Sequence, residues 1–146
     1  MTDRLVKALP MGPKVIERIL RVFPTDRLDD RIEVDRFTAR EVIAHLADYE
    51  QHVLDRIRVA TLKSSPVVPS YDPDKMAEAH KYSSKDVFHE AEVFESRRGM
   101  TVEFLRGLSA DDFNKTFSIE GGRTWTIADY ILMLLTHDME HVEQLT

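Results

Sequence analysis

The chain contains no cysteine. That absence removes disulfides, thiolate metal ligands and a protein thiol nucleophile together, so any sulfur chemistry requires a thiol brought by a substrate. Long apolar runs are missing as well. The longest, "ILMLL" from Ile131 to Leu135, falls far short of the roughly 20 residues a membrane-spanning helix needs. The opening "MTDRLVKALPMGPK" has no apolar stretch of the secretory kind. A cytoplasmic protein without a membrane partner is the expectation. Positive charge is in deficit: 20 Lys and Arg stand against 26 Asp and Glu, a formal charge of −6. A general binder of phosphate backbones needs the opposite balance, so nucleic acid is not an expected partner. Nor does any useful length of chain alternate apolar and polar residues between turn signals, as half-buried strands do.

What is present is helical periodicity. With 146 residues, 42% hydrophobic and 32% charged, the composition is that of a soluble globular protein, and the length suits a single domain spanning 1–146. An N-terminal piece, Thr2 to Leu9, is interrupted at "PMGP". A segment follows with Pro13 in its first turn and Val15, Ile16, Ile19, Leu20 and Phe23 on one stripe, ended by Pro24. The second helix announces itself with Thr38 and Glu41, a capping box, and runs from about Ala39 to Lys63 with Val42, Ile43, Leu46, Tyr49, Val53, Ile57 and Ala60 on its buried face. The third follows Ser83 or Ser84 and turns Phe88, Ala91, Phe94, Thr101, Phe104 or Leu105, and Leu108 inward; "GLSADDF" ends it, with Ser109 capping a short turn. Thr126 and Asp129 open the last helix after the turn-rich "FSIEGGRTWT". The fold class is therefore all-α, a four-helix bundle with a long loop, Ser64 to Ser84, between helices two and three. A connection of that length is either a cover over a site or a solvated crossover.

The last helix carries "HDMEH". At 100° per residue and with Leu134 as reference, His141 lies at about −20° and His137 at about −60°, both inside the apolar stripe. Chance alone yields roughly 0.2 histidine pairs at this spacing, so burial carries more weight than the spacing. On the second helix, His45 sits at about −100° from Leu46, beside Tyr49, on the flank of the buried face. His45, His137 and His141 could thus supply three nitrogen donors from two helices and leave a coordination position open. Hydrogen-bonded core histidines are the other reading of the same residues. His52 reads as solvated or as supporting a ligand, and His80 and His89 as surface residues. The zincin pattern fails, because Asp138 stands where the general-base glutamate belongs and Glu140 directly precedes the second histidine.

Three stretches resemble the DinB-like proteins: "FTAREVIAHLADYEQHVLDRI" their second helix, "FESRRGMTVEFLRGLSADDF" their third with Arg98 in register, and "GGRTWTIADYILMLLTHDMEHVEQL" their last. The resemblance extends from the first helix to Leu145. It implies a four-helix bundle, often a homodimer, with a divalent ion held by three histidines, which here are His45, His137 and His141. It further implies relatives that use low-molecular-weight thiols, among them bacillithiol- and mycothiol-dependent transferases and isomerases.

Three functions are then expected to compete. The first is a metal-dependent transferase or hydrolase acting on a small molecule, with zinc, nickel, iron or copper as metals that imidazole suits. In it, Tyr49 orients a ligand or substrate and Arg98 binds an anionic group, against the alternatives of a core tyrosine and a structural salt bridge. The second is a non-catalytic bundle stabilised by its metal or histidine cluster. The third is a small-molecule binder in which the Ser64 to Ser84 loop covers an apolar pocket.

Overall fold

The computed structural model describes residues 2–146. Its helices are α1 (Thr2–Ala8), α2 (Met11–Val22), α3 (Ala39–Leu62), α4 (Pro73–Ala79), α5 (Val87–Arg106) and α6 (Ile127–Leu145). The four long ones, α2, α3, α5 and α6, form the expected bundle, with α3 against α5, and α6 against both α2 and α3. No helix among the described residues is long and apolar enough to cross a membrane.

Local chemistry sets the helix ends. Thr38 Oγ1 accepts from the Glu41 amide at 3.2 Å while Glu41 Oε1 accepts from the Thr38 amide at 3.0 Å, so α3 starts on the predicted reciprocal cap. At α6 only half of that device forms: Thr126 Oγ1 accepts from the Asp129 amide at 3.0 Å. Asp72 and Asp86 cap α4 and α5 through their side chains.

The bundle carries a small sheet that the sequence reading lacks. Strand β1 (Val67–Val68) runs parallel to β2 (Thr116–Ile119), which pairs antiparallel with β3 (Thr124–Thr126) in the register Phe117↔Trp125. Strands of two to four residues are too short to display a period of two, which is why they read as turns. Gly121, at φ +71°, makes the β2–β3 turn. Phe117 is fully buried and meets Tyr130 edge-on at 5.0 Å, so the sheet is fastened to α6. One inward assignment is also corrected. Phe88 is exposed and Val87 occupies the core position, because Val87 lies two turns before Phe94 on the buried face whereas Phe88 falls off that stripe.

Gly12 in α2 is a close-approach position. A Cβ there would stand 3.0 Å from the carboxyl carbon of Asp138 and 3.3 Å from Arg98 Nη1. Both side chains are buried and pinned by each other, so neither can give way. Gly12→Ala is expected to lower stability by about 1–3 kcal/mol despite alanine's better helix propensity. Urea unfolding measures it; an unchanged midpoint would show that the α2–α6 contact relaxes freely.

Candidate metal centre

Helix α3 presents His45, Tyr49, His52 and Arg56 at intervals of four, three and four residues, which places them along one face. Helix α6 faces it with His137 and His141 one turn apart. The three predicted histidines meet. His137 Nε2 lies 3.2 Å from His45 Nε2 and 3.1 Å from His141 Nε2, and all three donor atoms fall within 4.8 Å of one another. His45 is buried, deeper than its flank position suggested, while His137 and His141 are half-buried.

The outer nitrogens decide what the inner ones can do. His141 Nδ1 lies 2.9 Å from Gln144 Oε1 and donates to it, which leaves its Nε2 as a lone pair. His45 Nδ1 faces the Tyr71 hydroxyl at 3.4 Å. Tyr71 in turn meets the Tyr82 hydroxyl at 2.9 Å, and Tyr82 donates to Asp48. His137 Nδ1 is buried with no partner among the described residues. A neutral imidazole has one proton, so hydrogen bonds alone leave lone pairs converging at the centre. A cation relieves that repulsion. Donors at about 2.0–2.1 Å from one tetrahedral ion are spaced by roughly 3.3 Å, close to the two separations that His137 makes. The residues therefore fit a divalent ion.

Electrostatics act in the same direction. Burial, reinforced by the neighbouring His141, lowers the His45 pKa to about 3. Burial and the same neighbour lower His137 to about 3. His141 is lowered as well, again by burial first. All three are neutral at pH 7, the state in which imidazole ligates.

Above the histidines is a cavity of about 610 Å³. Its walls come from segments distant in sequence: Phe37 ahead of α3, Tyr71 from the Ser64–Ser84 loop, Ile119 to Gly122 from the β2–β3 turn, and Tyr49 and Arg56 from α3. The loop thus acts as a wall of the site. Tyr49, a sequence candidate, stacks on His45 at 5.7 Å between centroids and shares a hydrogen bond of 2.8 Å with the Tyr130 hydroxyl. Burial holds the Tyr130 hydroxyl well above the ordinary phenol range, so it stays protonated.

Arg98 is corrected. It is 1% exposed, and its five N–H groups go to Glu50 (2.9 and 3.0 Å), Asp138 (2.7 and 2.9 Å) and the Leu9 carbonyl (2.8 Å). No donor is left for a substrate, so the structural salt bridge is the reading the geometry gives. The remaining histidines stay outside the triad. His80 Nδ1 pairs with Asp48 at 2.9 Å, His89 is exposed, and the His52 ring sits against Tyr71 at 4.9 Å.

Sequence reasoning passes over Arg56 and Gln144. The first carries a legible signal: on the α3 wheel it falls at about −80° from Leu46, between His45 and Tyr49. Gln144 is three residues beyond His141, within reach on the same helical face.

A helical bundle with three convergent imidazoles beneath a small-molecule-sized cavity defines a class of helical proteins equipped to hold a metal ion. The profile of the DinB superfamily matches residues 9–145, and the chain belongs to that superfamily. A relative from Oceanobacillus iheyensis, named "Putative metal-dependent hydrolase", is 25% identical over 134 residues, covering 92% of this chain and 77% of its own. Among solved structures, YfiT from Bacillus subtilis, described as "a probable metal-dependent hydrolase with an unusual four-helix bundle topology", superposes with a TM-score of 0.92 at 19% identity, over 99% of this chain and 83% of that one. The mycothiol-dependent maleylpyruvate isomerase superposes with a TM-score of 0.79 at 16% identity, over 99% of this chain and 60% of that one. At these identities the two structures establish the shared fold.

Proposed function

We propose that the protein is a metal-dependent enzyme acting on a small molecule, with His45, His137 and His141 holding one divalent ion, zinc, nickel or iron, at the base of the cavity. The observation that carries this reading is the convergence of three imidazoles beneath an open cavity, with His137 Nε2 at 3.2 and 3.1 Å from its two partners and all three donor atoms within 4.8 Å of one another. An ion held only by neutral imidazoles keeps its full charge and lowers the pKa of a water or thiol that it binds. The chain's own residues do the rest. Gln144 and Tyr71 orient the ligand rings, and Tyr49 shields one side of the site. Tyr71, its hydroxyl pushed up to about 12 mainly by burial, presents a protonated hydroxyl to the cavity.

Hydrolysis by an activated water is the first reaction class, and the name of the Oceanobacillus relative supports it. Transfer to a low-molecular-weight thiol is the second. In a chain without cysteine it fits with the nucleophilic sulfur supplied by a cosubstrate. A homodimer belongs to the same proposal. Metal analysis of tag-free protein is expected to find about one divalent ion per chain, and a screen of ester, amide and thiol-plus-electrophile substrates is expected to find turnover abolished by chelation. Four protein ligands on the ion, or no turnover at all, would return the protein to the non-catalytic readings, and turnover indifferent to chelation would take the ion out of the reaction.

A further inference from the structure

We propose that Arg56 is the anion-recognition residue of this cavity and that the substrate carries a carboxylate group. The inference rests on the reading of the cavity as a substrate site, and it adds the chemical class of what binds there.

The two buried arginines of the bundle are treated differently. Arg98 has two carboxylates and no free donor. Arg56, only 6% exposed, has no ion pair among the described residues. Its Nη1 donates to the Tyr130 hydroxyl at 3.0 Å and approaches the Tyr49 hydroxyl at 3.5 Å, and its Nη2 donates to the Pro69 carbonyl at 3.0 Å. These partners are neutral. They fix the plane of the guanidinium without balancing its charge, and they leave Nε–H with no acceptor among the described residues. A buried cation without a counter-charge is costly, and such a group is retained where a bound anion completes it.

Position supplies the second argument. Arg56 lines the same cavity as the three histidines. The carboxylates of the cavity, Asp35, Asp74 and Glu120, are exposed at its rim, where water and salt screen them. A planar two-oxygen group matches a guanidinium edge. Arg36 also reaches the cavity, but it is exposed and paired with Glu33 at 3.0 Å, which leaves Arg56 as the one buried arginine among aromatic and aliphatic walls (Phe37, Tyr71, Ile119), and the site suits an organic acid better than a phosphate, which calls for more donors. Held at Arg56, the acid's carbon skeleton extends toward the histidines, so Arg56 is a positioning residue for whatever reacts there.

The test uses the whole chain as purified, with succinate as probe, succinamide as its uncharged counterpart and inorganic phosphate as the competing anion. The Arg56 Nε–H resonance, assigned through bonds, is expected to move saturably with succinate at a Kd of about 1 mM or below and to ignore succinamide. Calorimetry on Arg56→Gln is expected to show succinate binding weakened about tenfold or more, at unchanged metal content. Repeating the titration after chelation separates the two readings: the Arg56 resonance still responds when no ion is present, and it responds even if metal analysis finds none. A resonance that succinate leaves unmoved in both forms would overturn the proposal and make Arg56 a structural anchor for Tyr130 and Pro69. Phosphate binding tighter than succinate would overturn the carboxylate assignment. If Arg56→Gln fails to fold, the wild-type resonance decides alone.

Discussion

His137→Ala is expected to purify with its helical circular dichroism intact and its metal content reduced from about one ion per chain to less than about a tenth of that. The expectation follows from where His137 stands. Its Nε2 is the middle donor, 3.2 Å from His45 and 3.1 Å from His141, so removing it leaves two donors and no shared centre. Packing argues that the bundle survives. Neither apolar cluster of the core, one around Ile57, Phe117 and Leu134 and the other around Ile16, Leu46 and Phe94, contains His137, which is half-buried at the cavity floor. The proper reference is wild-type protein after chelation, because a bound ion itself stabilises the folded state by mass action. Against that reference the variant's Tm is expected to agree within about 3 °C, a shift worth roughly 1 kcal/mol for a chain of this size. Retained metal would mean that the ion is held elsewhere. An unfolded variant would mean that the cluster is a structural staple, which favours the non-catalytic bundle.

How much of this was legible in advance depends on the length scale of each signal. Helix α3 was readable because a 24-residue element repeats its apolar face many times and opens on a two-residue cap. The histidines of α6 were readable because a single wheel places both in one stripe. The β-strands were not, since four residues or fewer hold at most two alternations and the partner of β1 lies some 50 residues away, as Ser118 does from Val67. The same limit hid the ion network. Glu50 is fully buried on α3 yet looks like any solvated helix glutamate until α5 brings Arg98 beside it. Arg98 stands between anion binding and a structural salt bridge in the sequence for that reason: its position is informative, but its partners come from α3, α6 and the chain after α1. Arg56 shows the converse. It lies on the correct face of the wheel, and only its burial without a carboxylate partner among the described residues, visible in three dimensions, separates it from an ordinary helix arginine.

Arg98→Ala is expected to be the most destabilising single substitution in the chain outside the apolar core, by about 3–5 kcal/mol, because it leaves buried charges without their partner. Glu50 is 1% exposed and Asp138 4% exposed, and the guanidinium is the one cation they share among the described residues. Burial pushes the Glu50 carboxyl above its ordinary pKa even with the arginine in place, and Arg98 opposes that rise. Without the guanidinium, the carboxyl must either stay ionised beside a second carboxylate or take up a proton, and both routes cost stability. Burial opposes the charge on Arg98 too, yet Glu50 and Asp138 outweigh it and hold the guanidinium firmly protonated. The network also ties α5 to α3 through Glu50, to α6 through Asp138 and to the chain after α1 through the Leu9 carbonyl, so its loss loosens three contacts together. At a few degrees per kcal/mol for a domain of this size, Tm is expected to fall by about 10 °C or more. Arg98→Met with Glu50→Gln and Asp138→Asn removes the uncompensated charges and is expected to recover a substantial part of that loss. Calorimetric scans of wild type, Arg98→Ala and the triple variant make the comparison. An Arg98→Ala variant within 1 kcal/mol of wild type would show that water reaches the network and that its side chains are not confined as their burial indicates. Because Asp138 directly follows His137, a destabilised network is also expected to disturb the metal centre, so the two substitutions are to be distinguished by order of loss: His137→Ala gives up the ion and keeps the fold, whereas Arg98→Ala gives up both on the same thermal transition.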